Sequence, residues 1–394
     1  MSKDPIVIIS AARTPLGNLL GELKDFSGHQ LGGHVIKSVV ERANLNSSHI
    51  NEVIMGCVLP AGQGQAPARQ AAIEAGLPLS TPCTTINKVC GSGMKAVMLI
   101  NDMLLCGTTD MAIAGGMESM TNAPYLLLKG RQGYRLGHSE LYDHMVIDGL
   151  EDAYEKGRPM GYFAEQCVKQ YGFTRKQQDD YAMSSFERAQ YAIRNKTFEA
   201  EIAPLTVQTK QGEQIIDTDE HPFSVNYEKI PKLMPIFMKE GSVTAGNSSS
   251  ISDGAAALVL TRLSEAVKRG IKPMAHIVGH TSYAKSAAEF TTAPIDATRL
   301  LMEKLQWKIN EVDLFEVNEA FAAVALVFMH ALKIPREKVN IHGGACALGH
   351  PIGASGARIL VTLLAALQQN DLKRGIATLC IGGGEATAIA IEIP

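Results

Sequence analysis

No stretch of this sequence gathers Lys and Arg into a phosphate-binding face, and the formal net charge is only −3. Nucleic acid is therefore not an expected partner. Long apolar runs are also missing. The longest, Ile359 to Leu367 and Ala322 to Met329, fall far short of the roughly 20 residues that span a bilayer, so no membrane association is expected. The start, Met1-Ser2-Lys3-Asp4-Pro5, carries neither a signal-peptide core nor an Arg-rich presequence, and Glu392-Ile393-Pro394 is no peroxisomal address. The seven cysteines (Cys57, Cys83, Cys90, Cys106, Cys167, Cys346 and Cys380) are odd in number, widely spread and free of any CxxC pair. That argues against a disulfide framework or a zinc site and for a reducing compartment, the cytoplasm.

What is present is an ordinary globular composition: 394 residues, 46% hydrophobic and 20% charged. At roughly 100–200 residues per domain, two or three domains are expected. Strand patterns at Ile6 to Ser10, Val53 to Val58 and Asp110 to Gly116 alternate with helical patterns at Leu31 to Arg42, Ala66 to Ala75 and Met94 to Leu105. The third of these strands is read as ending in Gly-Gly. The alternation predicts an α/β fold, a sheet layered by helices.

The sequence also echoes itself. Ile50-Asn51-Glu52-Val53 returns as Ile309-Asn310-Glu311-Val312, Ser92-Gly93-Met94-Lys95 as Ser355-Gly356-Ala357-Arg358, and Ala112 to Gly116 as Leu379 to Gly383. Three echoes in one order, at nearly one offset, predict a duplicated unit. Between the copies, about Thr121 to Gly246, the composition turns polar. Asp152 to Tyr171 and Arg175 to Lys196 read as amphipathic helices, and Lys210 to Pro235 as turn-prone. The chain thus divides into an N-terminal unit (residues 1–120 plus 247–272), an inserted loop domain (121–246) and a C-terminal unit (273–394). An insertion at a strand end commonly covers the binding site.

Four motifs carry reactive groups. In Asn87-Lys88-Val89-Cys90-Gly91-Ser92-Gly93 a thiol stands where a helix begins. The free N–H groups and the positive dipole end there are expected to lower its pKa and favour the thiolate. Taken alone, Cys90 is as readable as a buried packing residue. Glu316-Val317-Asn318-Glu319-Ala320-Phe321-Ala322 follows a strand, and Asn318 either serves a site or caps the next helix. Gly343 to Gly353 is a glycine-rich loop holding His350 before Pro351, either a reactive or a turn histidine. Thr378-Leu379-Cys380-Ile381-Gly382-Gly383-Gly384 ends a strand in a cysteine, which is core or catalytic. Open α/β sheets place their sites at such strand ends.

Together these blocks resemble the thiolase family over essentially the whole chain. Further matches are Ala11-Ala12-Arg13-Thr14-Pro15, Gly115-Gly116-Met117-Glu118-Ser119-Met120 and Lys239 to Ala245. The resemblance implies a thiolase fold of duplicated αβαβα layers, with the loop domain serving coenzyme A binding and oligomerisation, and a homotetramer. It implies that Cys90 takes the acyl group of an acyl-CoA as a new thioester while His350 accepts its proton. The backbone N–H groups of Cys90 and Gly382 would form the oxyanion hole. Cys380 would remove an α-proton from a second acyl-CoA, with His350 and a water positioned by Asn318 holding the enolate oxygen. Ser249 matches a pantetheine contact and Lys229 a position near the nucleotide end of coenzyme A. Leu150, Met160 and Phe290 match the substrate pocket. The reaction implied is the reversible condensation of two acetyl-CoA to acetoacetyl-CoA and coenzyme A. Coenzyme A thioesters are its substrates, and no further cofactor or metal is implied. The other five cysteines would be packing residues, with Cys346 the most reactive of them.

Some positions depart from the family pattern. Arg158-Pro159-Met160-Gly161 lacks the histidine of the His-Met-Gly common in biosynthetic members, and Phe290-Thr291-Thr292-Ala293-Pro294 replaces Met-Gly-x-Gly-Pro. Both blocks leave a longer-chain 3-ketoacyl-CoA thiolase as the alternative. Phe186 stands where potassium-activated members carry a tyrosine, so no potassium requirement is implied. Glu385-Ala386 replaces a common Gln-Gly, for which the sequence offers no physical reason. A non-catalytic acyl-CoA-binding protein would have lost a reactive residue, and none is lost. The related ketoacyl synthases lack the second cysteine that Cys380 supplies.

Overall fold

The computed structural model describes residues 4–209 and 212–394. Met1 to Lys3, and Lys210-Gln211 at the start of the turn-prone segment, lie outside the described residues. In chain order the main elements of the first part are β1 (Ile6–Arg13), α1 (Gly28–Arg42), β2 (Glu52–Gly56), α2 (Pro67–Glu74), β3 (Cys83–Ile86), α3 (Ser92–Cys106) and β4 (Met111–Ser119). Then follow α4 (Met160–Tyr171), α5 (Arg175–Arg194), β5 (Ser252–Arg262), β6 (Ala275–Ala284), α6 (Ala293–Leu305), β7 (Leu314–Val317), α7 (Ala322–Leu332), α8 (Ser355–Gln369), β8 (Arg374–Ile381) and β9 (Glu385–Glu392).

The strands join in the order β7-β8-β9-β6-β1-β5-β4-β2-β3, with Gly17–Asn18 beside β5. The duplication shows in the pairing. In the first half β2 runs parallel to β4, and β5 and β1 follow antiparallel. In the second half β7 runs parallel to β8, and β9 and β6 follow antiparallel. The place of β3 is taken in the second half by one isolated parallel bridge, Phe315 to Val339. The halves are not separate sheets, because β1 and β6 meet edge to edge at Val7↔His276 and Ile8↔Ala275.

Alternation along each strand builds the layers. Ile6 and Ile8 of β1 and Leu258 and Leu260 of β5 face α3 and α8, as do Leu379 of β8 and Ile389 and Ile391 of β9. Val7 and Ile9 point the other way, onto Leu31, Val35 and Val39 of α1. Ile376, Ala388 and Ala390 face α6 and α7 through Leu301, Val324 and Phe328. The order is helix, sheet, helix, sheet, helix, a thiolase-type αβαβα architecture. The window Val89–Cys106 has a mean hydropathy of 1.4, enough by length and composition for a membrane span, but it holds α3, packed between the two halves of the sheet.

The second echo marks where α3 and α8 cross. A Cβ on Gly93 would lie 2.9 Å from the Ala357 nitrogen, and one on Gly356 would lie 2.5 Å from the Met94 nitrogen. Glycine at both places lets the helix starts meet, and so brings the loop before each helix to one place.

Two elements differ from the sequence reading. β4 runs on past Gly116 to Ser119, because Met117 to Ser119 keep their pairing with β5 after the pairing with β2 has ended at Gly116, and Gly115 and Gly116 admit the backbone of Ala256 and Gly353. α4 begins at Met160, not Asp152. Gly157 takes a left-handed φ of 78°, and Pro159 is extended as the N-cap.

Candidate active site

The Cys90 turn is held by its own sequence. The Asn87 side chain accepts the Val89 N–H at 2.8 Å. The Ser92 hydroxyl accepts the Lys88 N–H at 2.8 Å and donates to the Val89 carbonyl at 2.7 Å. Val89 is thereby kept at a φ of 46°, unusual for a β-branched residue and a local store of strain. Cys90 itself is half-buried. Burial pushes its thiol up to about 11, while the N–H groups of Gly382 and of Cys90 itself pull the other way. The helix start had pointed to a lowered pKa; here burial outweighs the two backbone donors.

Cys380 lies at the end of β8, one residue before the strand gives way to the glycine turn into β9. It is buried, and burial with the adjacent Cys90 holds its thiol well above the ordinary range. Gly383 and Gly384, at φ of 92° and 88°, require glycine. Gly91 packs so closely on Ile381 that a Cβ would overlap its Cδ1. The two cysteine loops are in contact.

His350 sits between two hydroxyl-bearing segments. Its N–H donates to the Ser250 carbonyl at 3.0 Å, and its Nδ1 lies 2.6 Å from the Ser355 Oγ. Burial, with the charge of Arg358 adding, pushes the imidazole down to about 3, so it is neutral at pH 7. A neutral imidazole can accept a thiol proton. The Asn318 amide nitrogen is 3.5 and 3.4 Å from the two ring nitrogens, and its Oδ1 is buried without a protein partner. Asn318 follows β7 directly, whereas α7 opens at Ala322 with Phe321 as its N-cap, so Asn318 is no helix cap.

A cavity of about 690 Å³ adjoins this group. Leu150, Met160, Ser249, Ser250, Phe237 and Phe321 are among its walls. The Met160 side chain borders Gly382, at 3.8 Å from where a Cβ would stand. Two residues expected to contact substrate or coenzyme A do not line the cavity. Phe290 is buried behind the wall, its ring 6.4 Å from that of Phe321. Lys229 is exposed on the turn Tyr227–Lys232 and does not line the cavity. Phe186 is buried, stacked on Tyr227 with centroids 6.0 Å apart.

Among the presumed packing cysteines, Cys57, Cys167 and Cys346 are buried, Cys83 is intermediate and Cys106 is exposed at the end of α3. Cys346 is not reactive as expected. It is fully buried beside Glu319, which with desolvation drives its thiol far up.

Three residues of the site escaped the sequence reading. Ser355, within the second echo, fixes the His350 ring. Glu319, inside the Asn318 motif, accepts Tyr181 and Ser185 hydroxyls at 2.7 Å each and the Asn340 amide at 2.8 Å, bolting α5 to the strand end. Glu118 accepts the backbone N–H groups of Val58, Leu59 and Gly353, tying β4 to the His350 loop. For Ser355 and Glu118 the signal was a polar side chain at a helix start or within a buried strand, whereas Glu319 lies in the loop between β7 and α7.

Two family profiles match the chain: Thiolase, N-terminal domain over residues 6–264, and Thiolase, C-terminal domain over residues 271–393. An acetyl-CoA acetyltransferase of Allochromatium vinosum is 46% identical over 389 residues, covering 98% of each chain. The crystal structure of the Bacillus anthracis acetyl-CoA acetyltransferase superposes with a TM-score of 0.96 at 39% identity, covering 100% of this chain and 99% of that one. The Acat5 thiolase from Ascaris suum in complex with coenzyme A superposes with a TM-score of 0.94 at 39% identity, covering 99% of this chain and all of that one.

Proposed function

The chain belongs to the thiolase family of enzymes, and from that premise we propose that it reversibly condenses two acetyl-CoA to acetoacetyl-CoA and coenzyme A. The observation that carries this reading is the meeting of two cysteine loops, Cys90 and Cys380, where the start of the Cys90 helix packs on the loop of a neutral buried histidine, near a cavity walled by Met160, Leu150 and Ser249. Cys90 attacks the thioester carbonyl; its proton passes to His350, and coenzyme A leaves as its thiol. The negative oxygen formed on the way is held by the N–H groups of Cys90 and Gly382. Cys380 then takes the α-proton of a second acetyl-CoA. His350, together with a water on the unpartnered Asn318 Oδ1, holds the enolate oxygen while its carbon displaces the Cys90 sulfur. Two half-reactions at one thiol give ping-pong kinetics. Coenzyme A thioesters suffice as substrates, with no metal or further cofactor.

We assign coenzyme A binding and subunit contacts to the loop domain, residues 121–246. Tyr125, Leu127, Leu128, Leu136 and Leu141 stand exposed there, apolar surface that a homotetramer would cover. Seven free cysteines support a reducing, cytoplasmic setting.

Thiolysis rates across a chain-length series of 3-ketoacyl-CoAs test the acyl preference. The four-carbon substrate should be fastest, because Met160, Phe237 and Phe321 crowd the cavity. Rates that rise steadily with chain length would favour the 3-ketoacyl-CoA alternative. Mass spectrometry after incubation with acetyl-CoA should find one acetyl adduct, on Cys90. Its absence would support an acyl-CoA-binding protein without activity.

A further inference from the structure

Glu385 stands where the family pattern has glutamine, and the structure gives it a partner. Its carboxylate pairs with the Lys88 ammonium, two residues before Cys90. The contact spans 297 positions of sequence and joins the two cysteine loops. It is one of three ties between them. The second is the packing of Ile381 on Gly91. The third is the Gly382 N–H, which points at the Cys90 sulfur alongside the N–H of Cys90 itself. A counterpart exists in the other direction. Glu118 stands at the offset that relates Ala112–Gly116 to Leu379–Gly383, and it reaches from the first half to the Gly353 N–H of the His350 loop. Each half thus sends one strand-end glutamate to the reactive loop of the other.

We infer that the Glu385–Lys88 pair is a positioning device: it sets the distance between the Cys90 and Gly382 N–H groups and so the fit of the oxyanion hole. Neither side chain touches the reacting atoms. Lys88 precedes the strained Val89, where a small shift of the backbone rotates the Cys90 N–H. The pair is partly exposed, with side chains 23% and 37% accessible, so it adds little to global stability. Its effect falls on geometry, where misplacement is costly.

This inference rests on Cys90 being the acylated thiol, and the test keeps the two apart. Glu385→Gln, Lys88→Met and the exchanged pair K88E/E385K are compared with the parent enzyme. Measured are acylation of Cys90 by acetyl-CoA in rapid-quench mass spectrometry, kcat and KM for acetoacetyl-CoA thiolysis, alkylation of Cys90 by iodoacetamide, and melting temperature. Each single variant should acylate about 10-fold more slowly, with KM nearly unchanged. Alkylation, which builds no oxyanion, should change less than about twofold. The exchanged pair should recover most of the acylation rate, and all variants should melt close to the parent. Single variants that acylate at the parent rate overturn the inference. So does an equal loss in alkylation, or an exchanged pair no better than the singles. A parent enzyme that forms no Cys90 adduct overturns instead the proposed function.

Discussion

The two halves of the sheet begin a central helix with the same Ser-Gly pair and use it for different chemistry. In the first half Ser92 binds the turn that carries Cys90, through the Lys88 N–H and the Val89 carbonyl. In the second, Ser355 binds the His350 Nδ1 and the Pro351 carbonyl. One serine braces backbone and the other braces a ring. The strand ends diverge as well: β4 runs straight on through Glu118, whereas β8 stops at Ile381 and turns back on three glycines. A duplicated scaffold has therefore kept its crossing point and reassigned its loops; on the proposed mechanism, acyl capture falls in one copy and most of the proton handling in the other.

The largest effect separates those assignments. Cys90→Ala should lose about 10⁴-fold or more in thiolysis and form no acetyl adduct, since the neighbouring thiol, Cys380, lacks the pair of N–H donors that face the Cys90 sulfur. Cys380→Ala should still form the Cys90 adduct yet fail in condensation. The measurement is adduct mass beside the condensation rate. If Cys380→Ala also loses the adduct, acyl capture is not confined to the first half.

A smaller effect compares the two serines. Ser355→Ala releases one ring nitrogen of His350, and acylation should slow about 10-fold, the scale of a misaligned general base. Ser92→Ala leaves the Lys88 N–H and the Val89 carbonyl without their partner, at a cost of about 1–3 kcal/mol, read as a lower melting temperature. Equal melting temperatures for both variants, with equal losses of rate, would erase the distinction between bracing a ring and bracing a turn.

Much of this contrast was legible in sequence. The echoes located the helix crossing and both strand ends, because glycine at a close approach and serine at a helix start leave a local signature. Cys90, His350, Asn318 and Cys380 each read locally as packing, turn or cap residues as well, and only the resemblance of the assembled blocks to the thiolase family assigned them roles. What was not legible depends on distant partners. Nothing local to Glu385 or Lys88 announces that they meet. Phe290 reads as a pocket residue because it follows the family alignment, yet it is buried with its ring near that of Phe321 and does not line the cavity. The start of α4 was misplaced because Asp152 to Lys156 are adequate helix formers, and the stop at Gly157 and Pro159 comes only after them. The thiol pKa of Cys90 was expected low from its helix start; burial, which no local pattern encodes, reverses it.

The last comparison is a difference in sign between two buried groups on opposite halves. His350 is pushed by burial from 6.5 down to about 3, and Glu118 is pushed by burial from 4.5 up to about 7. Between about pH 3 and 6.5 the unfolded chain binds a proton at His350 that the folded protein refuses. The contribution of His350 is full above pH 6.5 and is lost as pH falls. Between about pH 4.5 and 7 the folded protein binds a proton at Glu118 that the unfolded chain has released. The contribution of Glu118 is full below pH 4.5 and is lost as pH rises. Melting temperature followed against pH should therefore show His350→Asn gaining on the parent protein as the solution is made more acidic. Glu118→Gln should gain as it is brought from about pH 4.5 to 7. The two difference curves slope in opposite directions. Curves of the same slope would mean that the Gly353 N–H, which Glu118 accepts three residues beyond His350, couples the two groups into one titration rather than leaving each half its own.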